Sequence, residues 1–250
     1  MFKHTLSFIV HTTVLAIVAV VIAFITPGQE NASCAFAAII VGASFAGFAT
    51  LLMSKAIDRA AALADAVSVE LNKLRRIHHL ARAFSRAEKQ IPWFDLVREA
   101  IESYLHAFEV IPFKQYDDTN EMFRRITQQL YGFDTIASEK GKLLFAELMT
   151  ISGQATEARQ RIHAMRVQRM GTWNAGVLLT LGGAVIMLTT VGFADSLGGR
   201  LAAALIALAV LVVVEAVFIA DGQRRIDGKY YTKQYVDNIE RMGFWPEEKM

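Results

Sequence analysis

The chain has 250 residues, 54% of them hydrophobic, and a mean hydropathy of +0.33. That is too apolar for an average soluble domain. A formal net charge of +2 gives no argument for nucleic-acid binding, and the single cysteine, Cys34, excludes an internal disulfide or a cysteine-built metal cluster.

The first element is a charge-free window from Thr5 to Gln29. Residues 5–26 reach the roughly 20 residues that a helix needs to cross a ~30 Å hydrocarbon layer. The stretch is longer than the apolar region of a secretory signal, and no small-residue cleavage site leads into a polar start. A second charge-free window, Asn31 to Ser54, holds a span at about 34–54. There Gly42, Ala43, Ala46 and Gly47 give small-xxx-small spacing, which lets helices approach closely. Phe45, Phe48 and Leu52 fall on one stripe, which would make a hydrophobic constriction in an oligomer. Lipid-facing or bundle packing is the commoner role of such a stripe.

Gly and Pro are absent from Phe48 to Ile91, so the second span continues as helix into a central region, residues 55–171. Ala60, Ala64, Val67, Leu71, Leu74, His78 and Ala81 step by fours and threes. So do Leu144, Leu148, Ile151, Ala155, Ala158, Ile162 and Met165, which run into the third span. This spacing predicts a coiled-coil seam, close-packed by its alanines. The two helices leave and enter the same membrane face and so lie antiparallel, and equal distance from the bilayer puts Leu71 near Ala155 and His78 near Leu148. Between the two, Pro92 and Pro112 bracket a helix with Phe94, Val97, Ile101, Tyr104 or Leu105, and Phe108 inward. Asp118 or Thr119 caps the next, with Met122, Phe123, Ile126 and Leu130 inward and Gly132 ending it. His78 and His79 do not suggest a metal site: neighbours on a helix diverge, and no carboxylate lies four residues on from either. Arg75, His79, Arg82 and Arg86 form a basic stripe. It reads either as a site for an anionic partner or as a solvated face paired with Glu88, Glu99 or Glu102.

Two further spans, about 172–193 and 201–220, are joined by the turn ADSLGGR. The fourth is interrupted by Glu215. It lies six residues inside Asp221, roughly 9 Å at about 1.5 Å per residue. His11 falls at matching depth in the first span, and Asn174 and Thr180 bracket that depth in the third. Glu215, His11 and Asn174 therefore form a candidate intramembrane polar site, whose alternative is a structural contact between helices.

Of the 26 Lys and Arg, only Arg200 falls in a turn between spans. The positive-inside rule then places both termini and residues 55–171 in the cytoplasm of an inner-membrane protein. Arg166 and Arg169, near the third span, are expected against anionic lipid headgroups. Residues 221–250 read as an amphipathic cytoplasmic tail. The fold class is all-α: four transmembrane helices as two hairpins, with a helical cytoplasmic region continuous with spans two and three. No Walker A, G-x-G-x-x-G, H-E-x-x-H or C-x-x-C pattern occurs, so neither an enzyme nor a cofactor is expected.

After the fourth span, DGQRRIDG keeps Asp221, Arg224 and Gly228 of a D-x-D-R-P-x-x-G run, with Gln223 and Arg225 departing from it. After the second, DRAAALADAV offers Asp58, Arg59, Asp65 and Ala66, with Val67 in place of an expected Asn. In these residues and in its layout the chain resembles the bestrophin-like domain family of uncharacterised bacterial membrane proteins. The resemblance implies two hairpins around a helical insert. At one further remove it implies the bestrophin behaviour, an oligomeric anion channel lined by the second span. The first functional reading is accordingly an oligomeric, ion-conducting membrane protein. The alternative is a non-conducting scaffold or sensor whose cytoplasmic helices bind a protein partner.

Overall fold

A computed structural model describes Ile17, Val21 and residues 32–133, 135–167, 170–193, 196–222 and 228–243. Among these residues the chain is all-helical. The helices are α1 (Ala32–Glu88), α2 (Ile91–Val110), a 3-10 segment (Phe113–Thr119), α3 (Asn120–Tyr131), α4 (Glu139–Val167), α5 (Thr172–Gly192), α6 (Leu197–Gly222) and α7 (Gly228–Gly243). Three of them, α1, α5 and α6, contain stretches long and apolar enough to cross a membrane. The expected first span, 5–26, lies outside the described residues apart from Ile17 and Val21.

The chain forms two compact units, residues 1–58 with 169–222 and residues 59–168 with 223–250. One uninterrupted helix of 57 residues, α1, belongs to both. In the first unit, Phe45, Ala49 and Leu52 of α1 pack with Leu178 and Val185 of α5 and Val210 and Val217 of α6. Two glycines let the helices meet. A Cβ on Gly182 would lie 3.1 Å from Val210 Cγ1 and 3.4 Å from Phe45 Cε2, and one on Gly192 would lie 2.9 Å from the Ala35 nitrogen. At the far end of the α5–α6 pair, the Met170 amide donates to Asp221 Oδ2 (3.1 Å). Large apolar side chains such as Phe36, Ile39, Ile40, Leu51, Met187 and Leu205 stay exposed. Such a surface is rare in water and ordinary in lipid. Polar side chains within these helices turn back on their own backbone: Thr50 Oγ1 donates to Ala46 O (2.8 Å) and Thr189 Oγ1 to Val185 O (2.7 Å). That satisfies them where no water is at hand.

In the second unit, α1 ends at Lys89, whose φ of 60° breaks the helix. Pro92 opens α2, and Ile111, extended before Pro112, closes it. Tyr104 and Leu105 are both buried, with Val97, Ile101 and Phe108. Thr119 is the residue before α3, but it does not cap it: its hydroxyl donates back to Tyr116 O (2.6 Å). Glu88 closes the entry to α4 by accepting from the amides of Ala137 (2.8 Å) and Ser138 (3.1 Å), instead of pairing with the basic stripe.

Helices α1 and α4 run antiparallel in the expected register. Lys73 Nζ donates to Gln154 Oε1 (2.7 Å), Arg76 pairs with Glu147, and Arg159 pairs with Glu70 (3.5 Å). These cross-links bracket the alignment of Leu71 with Ala155 and His78 with Leu148, and all four of those residues are buried. The seam differs from a close-packed alanine contact. Its two backbones hardly come within 8 Å of each other, and Ala60 is exposed. In a Cys34→Ser background, cysteines replacing Lys73 and Gln154 are expected to join through a short bismaleimide. Cysteines at 73 and 147 should join far less efficiently, and equal yields would contradict the register.

Candidate functional site

Leu63, Val67, Glu70, Leu74, Ile77, Ala81 and Phe84 make an inward stripe on α1, each buried to 4% exposure or less. A carboxylate in that stripe has no route to water, so its oxygens must find donors inside the protein. Glu70 finds them on four other segments. Tyr104 of α2 donates to Oε1 (2.8 Å), Tyr116 of the 3-10 segment donates to Oε2 (2.8 Å), and Tyr235 of α7 also donates to Oε2. From α4, Arg159 Nη1 lies 3.5 Å from Oε1 and donates to the Tyr104 hydroxyl (2.6 Å).

Arg159 is as fully engaged as its partner. Nη2 donates to Thr119 Oγ1 (2.9 Å) and Asn120 Oδ1 (2.8 Å), and Nε donates to Asn120 Oδ1 (3.2 Å). Its guanidinium carbon sits 4.4 Å from the centre of the Tyr116 ring and 4.8 Å from that of Phe123, which adds cation–π attraction in a desolvated place. Aromatic packing seats α7 beside the charge: the Tyr235 ring stacks on Phe108 at 3.9 Å, and Tyr231 lies 4.8 Å from Phe113.

Burial pushes the Glu70 carboxyl above its usual range, while Arg159 and the three phenols pull in the opposite direction. Burial raises all three tyrosines well above the usual phenol value, with the neighbouring Glu70 carboxylate raising them further. The phenols therefore remain protonated donors across physiological pH. Desolvation works against the charge of Arg159, but Tyr104, Tyr116 and Glu70 outweigh it and hold the guanidinium charged. With every acceptor and donor spent, this cluster fastens five segments together and offers no reactive group.

The residues singled out by sequence lie elsewhere. Phe45 and Leu52 are buried in the first unit's own core and Phe48 packs beside them, so most of that stripe's surface is spent inside one protomer. Gly42, Ala43, Ala46 and Gly47 border open space among the described residues: a Cβ on either glycine would touch nothing within 4 Å. Glu215 is half-buried, and its Oε2 is buried with no hydrogen-bond partner among the described residues. Asn174 is half-buried. His11, Arg169 and Arg224 lie outside the described residues, and Gly228 opens α7. Arg166 is held inside the protein, 3.2 Å from Asp117 and over the rings of Phe113 and Tyr116.

One further buried titratable group stands apart. His78 is 6% exposed, its Nδ1 has no partner among the described residues, and its ring lies 5.3 Å from that of Phe94. Burial, with help from the neighbouring His79, Arg82 and Arg98, lowers its pKa to about 4.

Comparison with known protein families, characterised proteins and solved structures finds no match to this chain.

Two outcomes follow from these groups. Tyr235→Phe removes one donor to Glu70 and should cost about 1–2 kcal/mol; hydrogen exchange should rise first in α7, and uniform exchange would contradict the role assigned to it. His78 is neutral when folded, whereas unfolded it protonates near pH 6.5. The folded state thus binds fewer protons, and stability should fall by about 2 kcal/mol as pH drops from 6.5 toward 4. Denaturant titration of His78→Phe should show that part of the pH dependence gone.

Proposed function

We propose that the chain is a multi-pass inner-membrane protein whose helical unit, residues 59–168 with 223–250, works in the cytoplasm as a scaffold or sensor for a protein partner. The observation that carries this reading is α1, a single helix that contains an apolar span and, without a break, the buried stripe on which the second unit is built. A helix shared in this way ties the state of a membrane segment to that of a folded, non-catalytic unit. In this reading four spans form two hairpins, 5–26 with 34–54 and 172–193 with 201–220. Both termini are cytoplasmic, in keeping with the positions of the 26 Lys and Arg. Arg169 faces anionic headgroups, and the open face at Gly42, Ala43, Ala46 and Gly47 is where span one or a second copy packs. No catalytic step and no cofactor are assigned.

Glu215 favours a second reading, an oligomeric bestrophin-like ion pathway. A carboxylate with an unmet oxygen inside an apolar helix is a usual mark of ion or proton transit. Against it stands the burial of Phe45 and Leu52 within the protomer.

Topology is tested with single cysteines in a Cys34→Ser background: one at Ser196 should label from outside intact cells, and one at Ser138 should not. The reverse pattern would overturn the orientation. Reconstituted in liposomes, the folded protein should pass no ions under an imposed gradient. Sustained flux whose pH dependence or ion preference changes in Glu215→Gln would replace the scaffold reading with the channel.

A further inference from the structure

A polar cavity of about 330 Å³ lies between α1 and α7 within the second unit, inside the ~300–1,000 Å³ range of small-molecule sites. Ser68, Asn72 and Arg75 line it from α1, and Gln234, Asp237 and Asn238 line it from α7; Leu71 is its one apolar wall. Two opposite charges border this space without meeting each other. Arg75 gives Nη2 to Asn238 Oδ1 (2.7 Å), while its Nε is buried with no acceptor among the described residues. Asp237 makes no ion pair among the described residues, and Gln234 Oε1 is buried with no donor among them. The Asn238 amide is already spent on Gln234 O (2.7 Å).

Buried polar atoms without partners are uncommon and mark where an occupant belongs. The lining decides what kind. An anion alone would meet the Asp237 carboxylate, a cation alone would meet the Arg75 guanidinium, and a neutral solute would leave both charges unanswered. We infer that this cavity binds a small zwitterion of the α-amino acid class. Its carboxylate sits on Arg75, its ammonium group on Asp237, and the amides of Asn72 and Gln234 complete its hydrogen bonds. Such a ligand bridges α1 and α7, the same helices that Tyr235 fastens at Glu70. Its binding is therefore a signal that a sensor built on these helices would read, although the site itself does not depend on whether the protein conducts ions.

The test uses the full chain in detergent, with the common α-amino acids added one at a time. Sodium acetate and methylammonium chloride serve as single-charge controls. At least one amino acid should raise the thermal midpoint and give saturable heat in calorimetry, while neither control does. Arg75→Gln and Asp237→Asn should each weaken that binding by at least about tenfold. Ser68→Trp fills the mouth of the cavity while leaving both charges in place, so it should do the same even where a charge variant folds poorly. Absence of binding across the panel would overturn the inference. So would acetate binding as well as the best amino acid, or unchanged affinity in Asp237→Asn or Ser68→Trp.

Discussion

A carboxylate removed from water must have its lone pairs met or it destabilises the fold by several kcal/mol. Glu70 is fully buried, and this one requirement organises the second unit. Its donors come from α2, the 3-10 segment, α4 and α7, so four segments are positioned relative to α1 by one side chain. Hydrophobic burial alone would tolerate sliding of these helices, because apolar contacts are not directional. Three phenols and a guanidinium converging on two oxygens would not. The same geometry explains the aromatic character of the core, since a tyrosine can pack its ring among Phe108, Phe113 and Phe123 and still bring a hydroxyl to the charge.

The first unit is built on the opposite principle. Its core is aliphatic and aromatic, hydroxyls such as those of Thr50 and Thr189 are satisfied by their own helices, and close approach depends on Gly182 and Gly192. Much of its apolar surface is open, which is stable only in a medium as apolar as itself. In that setting Glu215, one oxygen of which meets no donor among the described residues, is the exception that attracts a functional reading. Glu70, with none unmet, is the one that supports a structural reading. Charge within an apolar stretch is thus not evidence of activity until its partners are known.

Periodicity made much of the fold legible. The apolar windows marked α1, α5 and α6, the prolines marked the ends of α2, and the four-three spacing together with equal distance from the two spans marked the antiparallel register of α1 and α4. The buried site was less visible for a physical reason. The seam through Leu71 and His78 shares Val67, Leu74 and Ala81 with an adjoining buried stripe that also takes in Leu63, Glu70, Ile77 and Phe84, so Glu70 occupies a position that the seam spacing passes over. A charge flanked on both sides at threes and fours by apolar residues was the available signal. Its partners were not readable, because Tyr116 and Tyr235 are separated from it by 46 and 165 residues, and local spacing carries no information at that range. Arg159 stands two residues before the exposed Arg161, and nothing in its local sequence marks it as an arginine that turns into the core.

The central claim is that Glu70 and Arg159 act as one unit, and a double-mutant cycle tests it most directly. Denaturant unfolding would be measured for the wild type, Glu70→Gln, Arg159→Met and the double variant. Each single change should cost about 3–5 kcal/mol, because it strands a buried charged or polar partner. The double variant should cost less than their sum by at least about 2 kcal/mol. Additive costs, or single costs below about 1 kcal/mol, would contradict the account.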